Sequence, residues 1–305
     1  MRKYRYLLFS LLSVVLLGAC GKSYKEQQRL SHEQQIAAAR QDSAALKIAT
    51  LPTMDCLPLF IAAEDSLFQK AGVDVRLRRF GSETDGDTLL RSKRAEGIVT
   101  DLVKAERLRR LGVKLSFVTA TNASWQLISN RIARVSELKQ LSDKMLAIAP
   151  YSATQLLADL AIDSARPKET VYRIEINDVN VRLRMILNNE IDAALLPEPQ
   201  ATQARLFQNP VLMDSRDKNL RMGVIAFRQK AMDDKSRKKQ IDQFLQVYNN
   251  VVDSINKNGV KHYGKIICKY MGVDMRTVRA LPSMRYDHAA KPRPRDIARG
   301  ARFTP

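Results

Sequence analysis

The sequence predicts an α/β fold of mostly parallel sheets flanked by helices. The clearest sign is the stretch from Leu46 to Leu77, which reads as strand, loop, helix and second strand. The same β-α rhythm recurs over residues 97–121 and again over residues 145–196, and helix-linked strands of this kind pair in parallel. Polar residues also fall repeatedly just after the strands, at Thr53 to Cys56, Thr100 and Asp101, Ser152 to Thr154, and Glu198. In open α/β sheets that carboxyl edge is where ligands bind.

Taken in order, Leu46 to Leu51 is the first strand, and Pro52 and Pro58 hold the turn that follows. A helix then runs to Gly72. Val73, Val75 and Leu77 alternate with Asp74, Arg76 and Arg78, as a half-buried strand requires. The turn-rich Gly81 to Asp87 leads into a short helix through Ala95, and Gly97 to Asp101 is a brief buried strand. A helix from Leu102 to Leu111 stops at Gly112, and Val113, Leu115 and Phe117 mark the next strand.

Trp125, the single tryptophan, opens another extended run. After the charged connection Arg131 to Lys144, the strand Met145 to Ala149 suggests a second sheet. A helix follows with Ser152 or Thr154 as N-cap, and its free backbone donors suit either a plain cap or an oxygen-bearing ligand. Val171 to Ile176 reads as a strand, Asp178 caps a helix through Leu187, and Ile191 to Leu196 is a buried strand ending in Pro197-Glu198-Pro199. The chain returns to its first layer through Met222 to Phe227. A long helix, Lys235 to Asn258, carries Ile241, Phe244, Leu245, Tyr248, Val251, Val252 and Ile255 on one face and stops at Gly259. Val260 to Met271 is a further helix, and the basic, Pro-rich tail from Lys291 to Pro305 shows no periodicity, so it is expected to lie on the surface or to be mobile.

The first twenty residues stand apart. Arg2, Lys3 and Arg5 precede an apolar run, Leu7 to Leu17, that is short for a membrane span and ends in Leu17-Gly18-Ala19-Cys20. This ending resembles the bacterial lipoprotein signal, which implies a lipid on Cys20, an anchor in the cell envelope, and a chain facing the periplasm or exterior. Residues 21–45 are polar and rich in Gln and Ala, as in a tether. Cys56 and Cys268 are too few for a disulfide framework or a cysteine metal site, and His32, His262 and His288 lack ligand spacing, so no metal or other cofactor is expected. The formal net charge is +19, three of it from Arg2, Lys3 and Arg5. Export argues against nucleic acid as the partner of such a basic chain. A solvated face or attraction to anionic lipid is expected instead.

Several strings resemble the type II periplasmic solute-binding proteins of ABC importers, in the branch that takes sulfonates, nitrate and the pyrimidine precursor of thiamine. They are Leu57-Pro-Leu-Phe-Ile-Ala62 with Leu67-Phe-Gln-Lys-Ala-Gly-Val-Asp-Val75, then Gly97-Ile-Val-Thr-Asp101, and Asn189-Glu-Ile-Asp-Ala-Ala-Leu-Leu-Pro-Glu-Pro199. The likeness covers roughly residues 46–290 and rests on the order and spacing of these strings. It implies two lobes joined by a hinge, with residues 46–124 and 220–305 in one and 125–219 in the other. It also implies a monomer that hands its solute to an ABC permease in the inner membrane.

The resemblance places Thr53, Met54, Asp55, Cys56, Thr100 and Asp101 on the first lobe's side of a cleft. Tyr151, Ser152, Ala153, Thr154 and Glu198 fall on the second, with Asn122 and Trp125 near the crossing. Each also has a structural role open to it: Asp101 as a helix cap, Trp125 as a packing residue, Cys56 as a small filler, Glu198 as part of a turn. Asp55, Asp101 and Glu198 repel a free anion and suit amines or the donor edge of a pyrimidine. With no cleft Arg or Lys legible at the strand ends, a small polar organic solute or nitrogen heterocycle is favoured over a sulfonate-like anion. The alternatives are a lipid-anchored surface protein that has lost transport, and an enzyme resembling the pyrimidine-synthesis relatives of this fold, whose cysteine-rich metal motif is missing here.

Overall fold

A computed structural model of the chain describes residues 32–37 and 41–303. Residues 32–37 and 41–44 are helical and belong to a unit spanning residues 1–45, while residues 46–305 form a second unit. The expected export signal, Cys20 and the first part of the tether lie outside the described residues. Among those described, no helix is long and apolar enough to cross a membrane.

Among the described residues, ten strands make two five-stranded sheets. In the first, β1 (Leu46–Thr50), β2 (Val75–Arg79), β3 (Gly97–Asp101), β4 (Leu115–Ala120) and β10 (Gly223–Arg228) lie in the order β2-β1-β3-β10-β4. In the second, β5 (Trp125–Ser129), β6 (Met145–Ile148), β7 (Tyr172–Glu175), β8 (Ala193–Pro197) and β9 (Val211–Asp214) lie in the order β7-β6-β8-β5-β9. Strands β1, β2 and β3 pair in parallel, as do β6, β7 and β8. Each sheet has one reversed strand: β10 runs against β3 and β4, and β5 against β8 and β9. These are the strands by which the chain enters one sheet after leaving the other, so each starts from the opposite edge.

The first helical layer follows from composition. Helix α1 (Leu57–Glu64) is apolar all round and buries Leu57 through Ala62, as a helix enclosed on every side must. The expected single helix to Gly72 is two, because Ser66 takes a left-handed φ of 54° and restarts the chain as α2 (Leu67–Lys70). The second strand begins two residues later than its alternation suggests, at Val75. Three short helices in this unit, α3 (Glu83–Arg91), α4 (Leu102–Arg110) and α5 (Ala153–Ala165), each follow a strand. They are joined in the second layer by α6 (Val179–Leu187) and α7 (Gln200–Leu206).

After β10 come α8 (Gln229–Asp233) and the long α9 (Lys235–Asn258), whose expected stripe is buried apart from the partly buried Leu245. Phe244 of that stripe stacks on Phe68 at 5.7 Å between ring centroids and meets Phe227 edge-on at 5.9 Å. The helix expected over Val260 to Met271 is a 3-10 turn, Val260–Tyr263, followed by α10 (Gly264–Met271), and α11 (Met275–Ala280) completes that face.

The tail lies at the surface as expected, but it is regular where no periodicity is legible. Pro294–Arg302 is a helix, α12, with Asp296 and Gly300 buried and Ile297 packed against the core. Gly300 lies where a Cβ would come 2.9 Å from the Leu102 carbonyl, so α12 seats directly on the start of α4. Arg110 also bonds the Ala301 carbonyl.

The chain crosses between sheets at residues 121–124 and 215–222. The two crossings bond each other. Thr121 N–H donates to the Gly223 carbonyl at 3.0 Å, Ser215 N–H to the Trp125 carbonyl at 2.9 Å, and Trp125 N–H to Ser215 Oγ at 2.9 Å. Gly223 is required by the close approach, since a Cβ there would stand 2.1 Å from Thr121 Oγ1.

Candidate functional site

Between the strand ends of the two sheets lies a cavity with about 40 Å³ open to the centre of a water-sized sphere, room for a few small groups. Its floor comes from the first sheet: Leu51, Thr53 and Asp55 after β1, Val99, Thr100 and Asp101 at the end of β3, and Glu83 at the start of α3. Ala123 and Trp125 approach from the crossing, and Val179, Arg182 and Pro197 from the second layer.

Asp55 is buried, and its carboxylate accepts from Thr53 Oγ1 at 2.6 Å and Thr121 Oγ1 at 3.1 Å. Burial pushes its pKa up, against the pull of these two hydroxyls. Asp101 caps α4 through Oδ1, which accepts from Val103 N at 2.8 Å and Lys104 N at 3.0 Å. The Ala153 N–H, at the start of α5 in the other layer, also favours its charge. Burial and the charge on Glu83 outweigh these donors and raise Asp101 to about 7.

Beside these carboxylates stands an ion network that spans both layers. Lys104 Nζ lies 3.8 Å from Glu83 and 3.5 Å from Asp87, Arg107 lies 3.8 Å from Asp87, and Arg182 lies 3.6 Å from Glu83. Arg182, only 1% exposed, also donates from Nη1 to the Ile176 carbonyl at 2.6 Å, while its Nε has no partner. Burial lowers the Arg182 pKa, opposed by Glu83. These contacts correct the expectation that no cation stands at the cleft: Arg182 lines the cavity, and Lys104 is buried against its Glu83. Basic residues at those two places are therefore not part of a solvated face.

The flanks are held by backbone. Ser82 and Asp178 form an isolated antiparallel bridge, Met54 N–H donates to the Glu198 carbonyl at 2.9 Å, and Gln200 Nε2 donates to the Pro52 carbonyl at 3.0 Å. Arg107 sits over the Tyr151 ring, 4.2 Å from its centroid.

Of the residues expected at the cleft, Thr53, Asp55, Thr100, Asp101 and Trp125 line the cavity together. Met54 and Cys56 point into the core of the first layer. Ser152 caps α5 by accepting from Thr154 N at 3.1 Å, and Thr154 Oγ1 bonds back toward Ala149, so both serve the turn. Tyr151 is exposed and does not line the cavity. Glu198 turns away, with Oε1 on Arg205 at 2.8 Å and Oε2 on Thr202 N at 2.9 Å. Its peptide with Pro199 is cis. Asn122 Oδ1 is buried without a partner at the crossing.

Glu83, Lys104 and Arg182 escaped the sequence reading. A signal existed for Arg182, which falls in the buried stripe Val179, Arg182, Leu183, Ile186 of α6. A lone charge in an apolar helical stripe marks a partner across the interface. Cys56 and Cys268 are free thiols.

No family model matches the sequence, and no curated protein does. Solved structures do match. The ligand-binding component of an ABC-type import system from Staphylococcus aureus, with zinc bound, superposes with a TM-score of 0.70 at 16% identity, over 84% of this chain and 89% of that one. The alkanesulfonate-binding protein SsuA from Xanthomonas axonopodis pv. citri, bound to MOPS, gives 0.70 at 12% identity, over 85% and 90%. A Candida albicans gene product with the generic periplasmic binding protein fold gives 0.60 at 13%, over 77% and 79%. The two sheets, their reversed strands and the double crossing thus make up the periplasmic-binding-protein fold.

Proposed function

We propose that this chain is the lipid-anchored, extracytoplasmic solute-binding component of an ABC importer, and that it holds a small polar organic solute between two lobes. In this reading residues 46–124 and 220–305 form one lobe and residues 125–219 the other, a lipid on Cys20 ties the monomer to the membrane, and a permease takes the solute onward. The observation that carries the reading is the cavity where Thr53, Asp55, Thr100 and Asp101 from one sheet meet Trp125 and Arg182. Such a site, between sheets that the chain links at two neighbouring crossings, suits hinge closure, the established behaviour of periplasmic binding proteins. The import-system proteins from Staphylococcus and Xanthomonas, whose fold it shares, support the same role. Among the described residues no group of three or more His, Cys, Asp or Glu is arranged to hold a metal.

Thermal melting of the full chain against a library of small solutes tests the reading, since a ligand bound only by the folded form must stabilise it. One solute, or one narrow class, raises the midpoint, and Asp101→Asn weakens that effect. A library that shifts nothing overturns the reading. Incorporation of labelled palmitate that disappears in Cys20→Ala tests the anchor.

A further inference from the structure

The charges lining and flanking the cleft do not all have partners. Glu83 and Asp87 are held in a balance of ion pairs with Lys104, Arg107 and Arg182 across the two layers, and Asp101 beside them, raised to about 7, feels the Lys104 charge as well. Asp55 stands outside this balance. Among the described residues its carboxylate meets two threonine hydroxyls and nearby backbone amides, and no basic side chain. Beneath it, burial pushes Cys56, Tyr248 and Tyr286 upward, so at neutral pH they stay neutral and add no second negative charge beside it. A buried carboxylate with neutral partners alone is costly, and the cost is relieved by a cation or by strong donors delivered to it.

One side of the wall around Asp55 is apolar or aromatic, while Thr100, Asp101, Glu83 and Arg182 make the other polar. Leu51, Val99, Ala123 and Trp125 share its cavity. An indole face attracts cations as well as apolar groups. The small opening suits a compact head group rather than a bulky scaffold.

We infer that the solute is a compact organic cation with N–H donors, an ammonium, an amidinium or a protonated amino-heterocycle, whose charged nitrogen binds Asp55 beside Trp125. This rests on the proposed solute-binding role and narrows it, excluding nitrate and sulfonates as the cargo. Asp55 is then the residue that selects charge, and the Glu83–Arg182 network closes the cleft beside it without neutralising it.

The test uses the full chain and its Asp55→Asn variant, melted with acetamidinium, n-propylammonium and 4-aminopyrimidine, and with ethanesulfonate and nitrate as the opposite charge. At least one nitrogen cation raises the wild-type midpoint, and Asp55→Asn loses at least tenfold in apparent affinity for it. The unliganded midpoint of the variant is unchanged or higher, because a charge without a partner has been removed. A residue that only held the loop in place would lower it. Trp125→Leu, which keeps an apolar wall and removes the indole face, weakens the same cation and provides a second route if Asp55→Asn fails to fold. Stabilisation by the anions alone, or by a library solute that carries no cationic nitrogen, overturns the inference and leaves solute binding intact. No response to any solute in the library overturns the underlying reading as well.

Discussion

Arg182 Nη2 on α6 lies 3.6 Å from Glu83 Oε1 on α3, and with both side chains buried it is the ion pair that joins the two layers across the cavity. A buried pair contributes little beyond apolar packing, but breaking it leaves a charge stranded. Arg182→Met strands Glu83 with Lys104 as its remaining cation, at 3.8 Å. The expected loss is about 3 kcal/mol in urea unfolding. The double variant Glu83→Gln with Arg182→Met recovers most of it. Simple addition of the two single losses would show that the pair does not couple the layers.

Asp101 gives a pH signature. Its folded pKa of about 7 lies above the ordinary carboxylate value of 3.8, so the folded form holds this proton more tightly than the unfolded chain. Its contribution is therefore fully present below about pH 4, declines as pH rises toward 7, and is constant above that. The groups facing it are Glu83, Lys104, the Ala153 N–H, and Asp55 and Arg182 in the shared cavity. Asparagine keeps the cap on α4. Melting midpoints from pH 4 to 8 should show wild type losing ground to Asp101→Asn as pH rises. A constant difference would place the titration elsewhere.

Gly300 tests the seating of the tail. Alanine in a helix interior ordinarily gains about 1 kcal/mol over glycine. Here the added Cβ meets the Leu102 backbone at 2.9 Å, and backbone yields less readily than a side-chain tip. The clash outweighs the propensity, so Gly300→Ala is expected to destabilise by about 1–3 kcal/mol in chemical denaturation. A stabilised variant would mean that α12 does not rest on α4.

The sequence made the alternating strands, the stripe of α9 and the caps at Asp101, Ser152 and Asp178 legible, because each depends on residues within one turn of one another. Thr53, Asp55, Thr100 and Asp101 were visible for a related reason: they end strands, and strand ends converge in this kind of sheet. Arg182 and Lys104 were not, since what makes them part of the site is a partner on another element. The tail hid itself differently. Pro294 reads as a breaker, yet at the first turn of a helix its missing N–H costs nothing. The rest of α12 sets arginines, alanines and Asp296 around Ile297 and Gly300, with Ile297 its single large apolar side chain, too little apolar pattern to register over nine residues.

Trp125 is the sole tryptophan and forms part of the cavity wall, so its emission reports on whatever enters there. The most direct measurement is a fluorescence titration of the full chain with the solute that raises its melting temperature. The account predicts a saturable change in Trp125 emission at the concentrations that stabilise the fold. Stabilisation with no change in that emission would put the solute elsewhere and contradict the assignment of the cavity.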